Sequence, residues 1–148
     1  MKVYLLVLSM LAGLVAGCAS HGPSRAERDL SECKSVCVTV TDPFDQLYVE
    51  QVARSLKESG FNVVGDPNQP NTLICTATSS QEGTFDWGFQ ITLWRGGKKV
   101  VTAEARNGDI GSLGQPQTAK FKVVQDAFEH LQVKLQDMRR SNHAALKG

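Results

Sequence analysis

Phe85-Asp86-Trp87-Gly88-Phe89-Gln90-Ile91-Thr92-Leu93-Trp94-Arg95-Gly96-Gly97-Lys98-Lys99-Val100-Val101-Thr102-Ala103-Glu104-Ala105-Arg106 reads as two strands joined through a glycine pair. Apolar and polar residues alternate on both sides of Gly96-Gly97, the period of a sheet with one buried and one wetted face. The faces set the register. A two-residue loop at Gly96-Gly97 pairs Leu93 with Val100, Ile91 with Thr102 and Phe89 with Glu104. A three-residue loop, Gly96 to Lys98, pairs Leu93 with Val101, Ile91 with Ala103 and Phe89 with Ala105. Only the second gives one wholly apolar face. A one-residue slip moves a whole side-chain set to the wrong side, so the three-residue loop is expected. The opposite face then carries Gln90, Thr92, Trp94, Val100, Thr102 and Glu104.

Upstream, Thr72 to Ser79 reads as a strand that turns at Gln81-Glu82-Gly83. Gly65 to Asn71 is a loop rich in Pro and Asn, and Phe61 to Val64 a short strand before it. Asp42-Pro43 starts a helix, with Asp as N-cap and Pro in the first turn. Tyr48, Val49, Val52, Ala53 and Leu56 share one face of it, and Gly60 ends it. Ser35 to Thr41 alternates as a strand, with Val36, Val38 and Val40 on one side and Cys37, Thr39 and Thr41 on the other. Downstream, Asn107 to Pro116 is a loop. Gln117 to about Met138 is the longest helix, with Phe121, Val124, Phe128, Leu131, Leu135 and Met138 as its apolar stripe. Residues 141–148 read as a frayed tail.

The order strand-helix-strand-strand-strand-strand-helix predicts an α+β fold. Its mainly antiparallel sheet has about four or five strands, and two helices pack on one face. One domain, residues 35–140, accommodates all of it.

The first residues carry an address. Met1-Lys2 is a short basic start, and Val3 to Ala16 is almost wholly apolar but too short to span a bilayer. Leu14-Val15-Ala16-Gly17-Cys18 resembles the bacterial lipobox, where small residues precede an obligatory Cys. The resemblance implies removal of residues 1–17 and a thioether-linked lipid on Cys18, which anchors the chain to a membrane. Residues 18–34 read as a polar lipidated tether, with room for a helical turn around Arg25 to Leu30. Residue 19 is Ala; in enteric-type lipoproteins Asp there retains the protein at the inner membrane. The resemblance therefore implies the periplasmic face of the outer membrane.

The 148 residues hold 16 Lys and Arg against 15 Asp and Glu, and loss of Lys2 with the leader makes the mature chain formally neutral. No basic stripe with interleaved aromatics exists, which argues against nucleic acid as a partner. Three thiols remain after Cys18: Cys33, Cys37 and Cys75. An oxidising periplasm favours a disulfide, and Cys37 to Cys75 is the preferred bridge because both lie on strands that can be neighbours. Cys33 stays open as a partner.

The residues offer little chemistry. His21, His130 and His143 have no metal-ligand spacing and accompany no nucleophile. Glu82 and Asp86 read as turn carboxylates. Gly108, Gly111 and Gly114 match no phosphate-binding pattern, and Ser112 has no base beside it. No catalysis, metal or cofactor is expected beyond the lipid on Cys18. Trp94, beside Val100 on the face away from the apolar set, is the candidate for binding a partner, because Trp buries much area with few rotors. Trp87, in phase with Phe89 and Ile91, reads as core.

From Val36 to about Leu131 the pattern resembles small proteobacterial envelope lipoproteins, through Cys37, Gly60, Asp86-Trp87 and the hairpin from Phe89 to Arg106. In that pattern a second Cys opens a strand at about Asn71, whereas this chain has Cys75. The element order also resembles, in architecture, the lipopolysaccharide-assembly lipoprotein that plugs an outer-membrane barrel. These resemblances imply an outer-membrane-anchored periplasmic lipoprotein acting as a non-catalytic accessory or scaffold component with an envelope protein partner. The alternatives are a lipid- or glycolipid-binding lipoprotein and, in third place, an envelope enzyme.

Overall fold

A computed structural model describes residues 24–40, 43–82, 86–107 and 116–145. The leader, Cys18, His21, Asp42, Ser112 and the three-glycine loop lie outside these residues. The strands are β1 (Ser35–Val40), β2 (Asn62–Val63), β3 (Thr72–Glu82), β4 (Asp86–Arg95) and β5 (Lys98–Asn107). The helices are α1 (Arg25–Glu32), α2 (Val49–Glu58, entered through a 3-10 turn over Pro43–Tyr48) and α3 (Pro116–Ala145). The strands form a five-stranded sheet in the order β2-β1-β3-β4-β5. The fold is α+β, as expected.

Its sheet is antiparallel through β3, β4 and β5, as expected, but mixed because β1 runs parallel to its neighbours, and three helices rather than two pack on it. β3 pairs antiparallel with β4, and β4 with β5, but β1 pairs parallel with both β2 and β3. The reason is the α2 crossover: a strand that returns to the same side of a sheet through a helix arrives parallel to the one it left.

The hairpin register is the expected one: Leu93 faces Val101, Ile91 faces Ala103 and Phe89 faces Ala105. The device that produces it is different. Arg95 pairs with Lys98 and Trp94 with Lys99, so the loop is the two residues Gly96-Gly97, and the register shifts at a bulge between Leu93 and Trp94. Val100 is the residue skipped. Gly96 and Gly97 have φ of 53° and 75°, the pair of positive angles that suits a tight hairpin turn. Without the shift, the apolar residues of one strand would oppose the polar ones of the other. Leu93, Ile91 and Phe89 are each fully buried at roughly 2 kcal/mol apiece. One lost ladder position costs only about 1 kcal/mol, so the faces win over the ladder.

The core lies between the sheet and the helices. Leu73, Cys75 and Ala77 from β3 meet the β4 and β5 set, and Val52 and Leu56 of α2 close one side. Val124, Phe128, Leu131 and Leu135 of α3 cover the rest. Phe121, placed on that stripe by its spacing, is instead 57% exposed, and Val123 and Ala127 are buried in its stead. The buried face of α3 is thus broader than the narrow stripe. Met138 is only partly buried against the core.

Helix α1 and the buried Cys33 behind it lie within residues 18–34, so the folded unit begins ahead of Ser35. Ser24 caps α1: its Oγ accepts from the Glu27 N–H and its own N–H donates to the Glu27 carboxylate, a capping box. Leu30 buries beneath it. Arg95, at the tip of the hairpin, donates to Asp29 at 2.6 Å and Glu32 at 2.8 Å and pins α1 in place.

Gly60 ends α2 at φ 88°. Its N–H reaches the Lys57 carbonyl and the Phe61 N–H reaches the Leu56 carbonyl, the paired bonds of a Schellman cap. Phe61 then packs in the same core as Leu56. Helix α3 continues to Ala145, past Ser141 where the tail was expected to fray.

Candidate functional site

All three helices join one core cluster on one side of the sheet. The other side has no described helix on it. Alternation along β1, β3, β4 and β5 gives this outer face Thr39, Thr76, Thr78, Thr92 and Thr102, with Trp94 at the hairpin end. Threonine suits the position because its branched Cβ packs on a pleated surface while its hydroxyl finds a local partner.

Those partners are present. Thr102 Oγ1 donates to Thr92 Oγ1 at 3.2 Å, and Thr39 Oγ1 donates to the Cys75 carbonyl at 3.3 Å. The indole N–H of Trp94 donates to Thr76 Oγ1 at 2.8 Å, one diagonal step across the strands. This bond fixes the indole over the sheet. Lys99 Nζ sits 5.5 Å from its ring centroid, in cation–π range. Trp94 remains partly exposed, whereas Thr92 beneath this network is buried.

Val100 departs from its expected place. The bulge leaves it without a ladder partner, and it packs against the core cluster. The partner-binding candidate therefore reduces to Trp94 and its threonine neighbours.

At the far end of this face, Glu104 accepts from Arg106 Nε at 2.6 Å and from Gln90 at 3.4 Å, while Arg106 lies 3.9 Å from Asp86. The Arg106 hydrogen bond holds the Glu104 carboxyl below its ordinary range. Glu82 and Asp86 are cross-strand partners where β3 turns into β4. Gly88 faces Ser80 and Arg106 at close quarters: a Cβ there would lie 2.8 Å from Ser80 Oγ and 3.3 Å from Arg106 Cγ.

The thiols do not form the expected bridge. Cys37 lies opposite Ile74 and Cys75 opposite Val38. Cys75 thus points into the core with Val38, while Cys37 points to the outer face with Ile74. Side chains leaving opposite faces of a sheet cannot meet disulfide geometry. Cys33, Cys37 and Cys75 are all free and buried. Cys37 Sγ donates to the Gly65 carbonyl at 3.7 Å. Burial pushes all three thiols up, Cys75 to about 12, which leaves them little thiolate character.

Trp87 is core, stacked on Phe89 at 6.0 Å and tilted against Tyr48 at 6.1 Å. His130 Nδ1 donates to the Glu104 carbonyl at 2.8 Å, and His143 is exposed at the end of α3. Among the described residues no three His, Cys, Asp or Glu side chains converge as a metal site. Comparison with protein-family models, curated proteins and solved structures finds no match.

Sequence reasoning placed only a helical turn of the tether at Arg25 to Leu30, and missed that α1 packs on the core and makes a cleft with α3. Its signal was Ser24-x-x-Glu27, a capping-box spacing. Helix α3, about 45 Å long at 1.5 Å per residue, outruns the strands. Its last turns meet α1, where Asn142 donates to the Glu27 carbonyl at 3.4 Å. Beneath that overhang lies a groove of about 480 Å³.

Proposed function

We propose that the protein is an outer-membrane-anchored periplasmic lipoprotein, held by a lipid on Cys18, that serves as a non-catalytic accessory or scaffold subunit. The partner, an envelope protein, docks on the outer sheet face around Trp94.

One observation carries this reading: the indole of Trp94, held by Thr76 and left partly exposed on a face without a described helix. A large ring already fixed in position loses little entropy when a partner covers it, which is how Trp serves at interface centres. The edges of the sheet support the same choice. Strand addition needs an exposed edge. On β5 the outward carbonyls of Thr102 and Glu104 are taken by α3, and β2 offers only two residues. The face is left as the broader surface.

The test is in-cell photo-crosslinking from position 94 with the leader and Cys18 intact. A discrete protein adduct is expected. A lipid adduct, or none, rules out a protein partner on this face. Metabolic labelling with a palmitate analogue, compared between the natural chain and Cys18→Ala, tests the anchor separately.

A further inference from the structure

Trp94 does not line the groove at the α1–α3 end, which plays no part in the scaffold reading. Its deep residues are apolar: Leu30, Cys33 and Phe61 are buried, and Met138 is half-buried beside them. Two exposed cations, Lys34 and Arg139, stand on its lining. The acid of the same lining, Glu27, has its carboxylate engaged by the Ser24 N–H. Arg139 uses one nitrogen on the Ser59 carbonyl at 2.7 Å and rests 5.5 Å from the Phe61 ring. A guanidinium has five donors, so most remain. Among the described residues no acid pairs with Lys34. Two cations with unspent donors over an apolar floor complement a molecule that has one anionic head and one apolar tail. A volume of about 480 Å³ falls in the range of small-molecule sites.

We propose that this groove binds a single-chain anionic lipid, with the tail over Leu30, Cys33, Phe61 and Met138 and the head on Lys34 and Arg139. The lipoprotein reading supplies the ligand's source. Ser24, next to the groove, is six residues from Cys18, a leash of at most about 21 Å. An anchored domain would thus hold the groove near the bilayer. The binding chemistry does not depend on the anchor.

The test uses residues 18–148 with Cys18→Ser. This chain keeps every described element and the single core that they share. Titration with cis-parinaric acid, a fluorescent fatty acid, is expected to saturate at one equivalent and to be reversed by palmitate but not by hexadecanol. Lys34→Gln is expected to weaken binding about tenfold, the loss of one charge-assisted contact. Met138→Trp, which fills the groove, is expected to abolish it. Trp94→Ala is expected to leave it unchanged, so that this site and the outer face fail separately. Should Met138→Trp unfold the chain, Lys34→Gln still decides. The proposal is overturned by no saturable binding, or by hexadecanol competing as well as palmitate. It is equally overturned if a chain starting at Ser24 binds while the longer one does not, for then residues 18–23 fill the groove.

Discussion

The Thr102 carbonyl accepts a hydrogen bond from Lys134 Nζ at 2.6 Å. Thr102 lies on the edge strand β5, and its carbonyl points away from β4. One turn earlier on α3, His130 does the same for the Glu104 carbonyl. The long helix therefore both covers the core and satisfies two carbonyls of the edge strand. An unsatisfied edge is a template for another chain.

Replacing Lys134 with Met keeps the aliphatic stem and removes the donor. We expect a loss of about 1 kcal/mol, because the bond is charged but exposed, read as a lower urea midpoint. The double variant Lys134→Met/His130→Ala is expected to self-associate through β5, visible as dimer by light scattering. A strictly monomeric double variant would show that the two bonds do not guard the edge.

Gly88→Ala places a methyl 2.8 Å from Ser80 Oγ. Overpacking of this kind costs about 1–3 kcal/mol. Ser80→Ala removes the clashing atom, so the double variant should recover most of that loss. A double-mutant cycle by chemical denaturation measures it, and additivity of the two single changes would contradict the contact.

Burial holds the Cys75 thiol at about 12 against an ordinary 9.0. A folded-state value above the unfolded one means that the protonated thiol favours the fold. That stability is complete below 9.0 and is lost as pH rises toward about 12. Urea midpoints of the natural chain should fall with pH across that window, and those of Cys75→Ala should fall less. Equal slopes would refute the assignment.

The same burial predicts that Cys33, Cys37 and Cys75 stay reduced under oxidising conditions. Mass spectrometry of the non-reduced protein should show three internal thiols, alkylated only after unfolding. A Cys37–Cys75 crosslink would require β1 or β3 to turn over.

Much of this molecule could be read from residue parity. The Leu93–Val101, Ile91–Ala103 and Phe89–Ala105 pairs followed from asking which register leaves one face apolar. The bulge did not follow, because a three-residue loop and a two-residue loop with a skipped Val100 give the same inner pairs. Parity also held the answer for the thiols. Cys37 and the core valines of β1 alternate, but whether Cys75 sits in or out depends on its offset from β1, which needs the parallel pairing. That pairing is legible in the helix between β1 and β2, but the antiparallel pattern of the hairpin is the stronger signal in the sequence. Phe121 failed because heptad-like spacing describes a narrow seam, and a helix lying on a sheet buries Val123 and Ala127 as well. The placement of Trp94 came through because it needed only the face. Val100 did not, because its side depended on the bulge.

Single-residue deletions inside a strand ordinarily invert everything beyond them. At Val100 the arithmetic runs the other way. Removing it would join Lys99 to Val101 and make the ladder continuous from Arg95–Lys98 through Leu93–Val101, with every other partner kept. The protein carries in β5 one position where its length is negotiable, so chains one residue shorter there can keep this ladder at the cost of the contact that Val100 makes with the core.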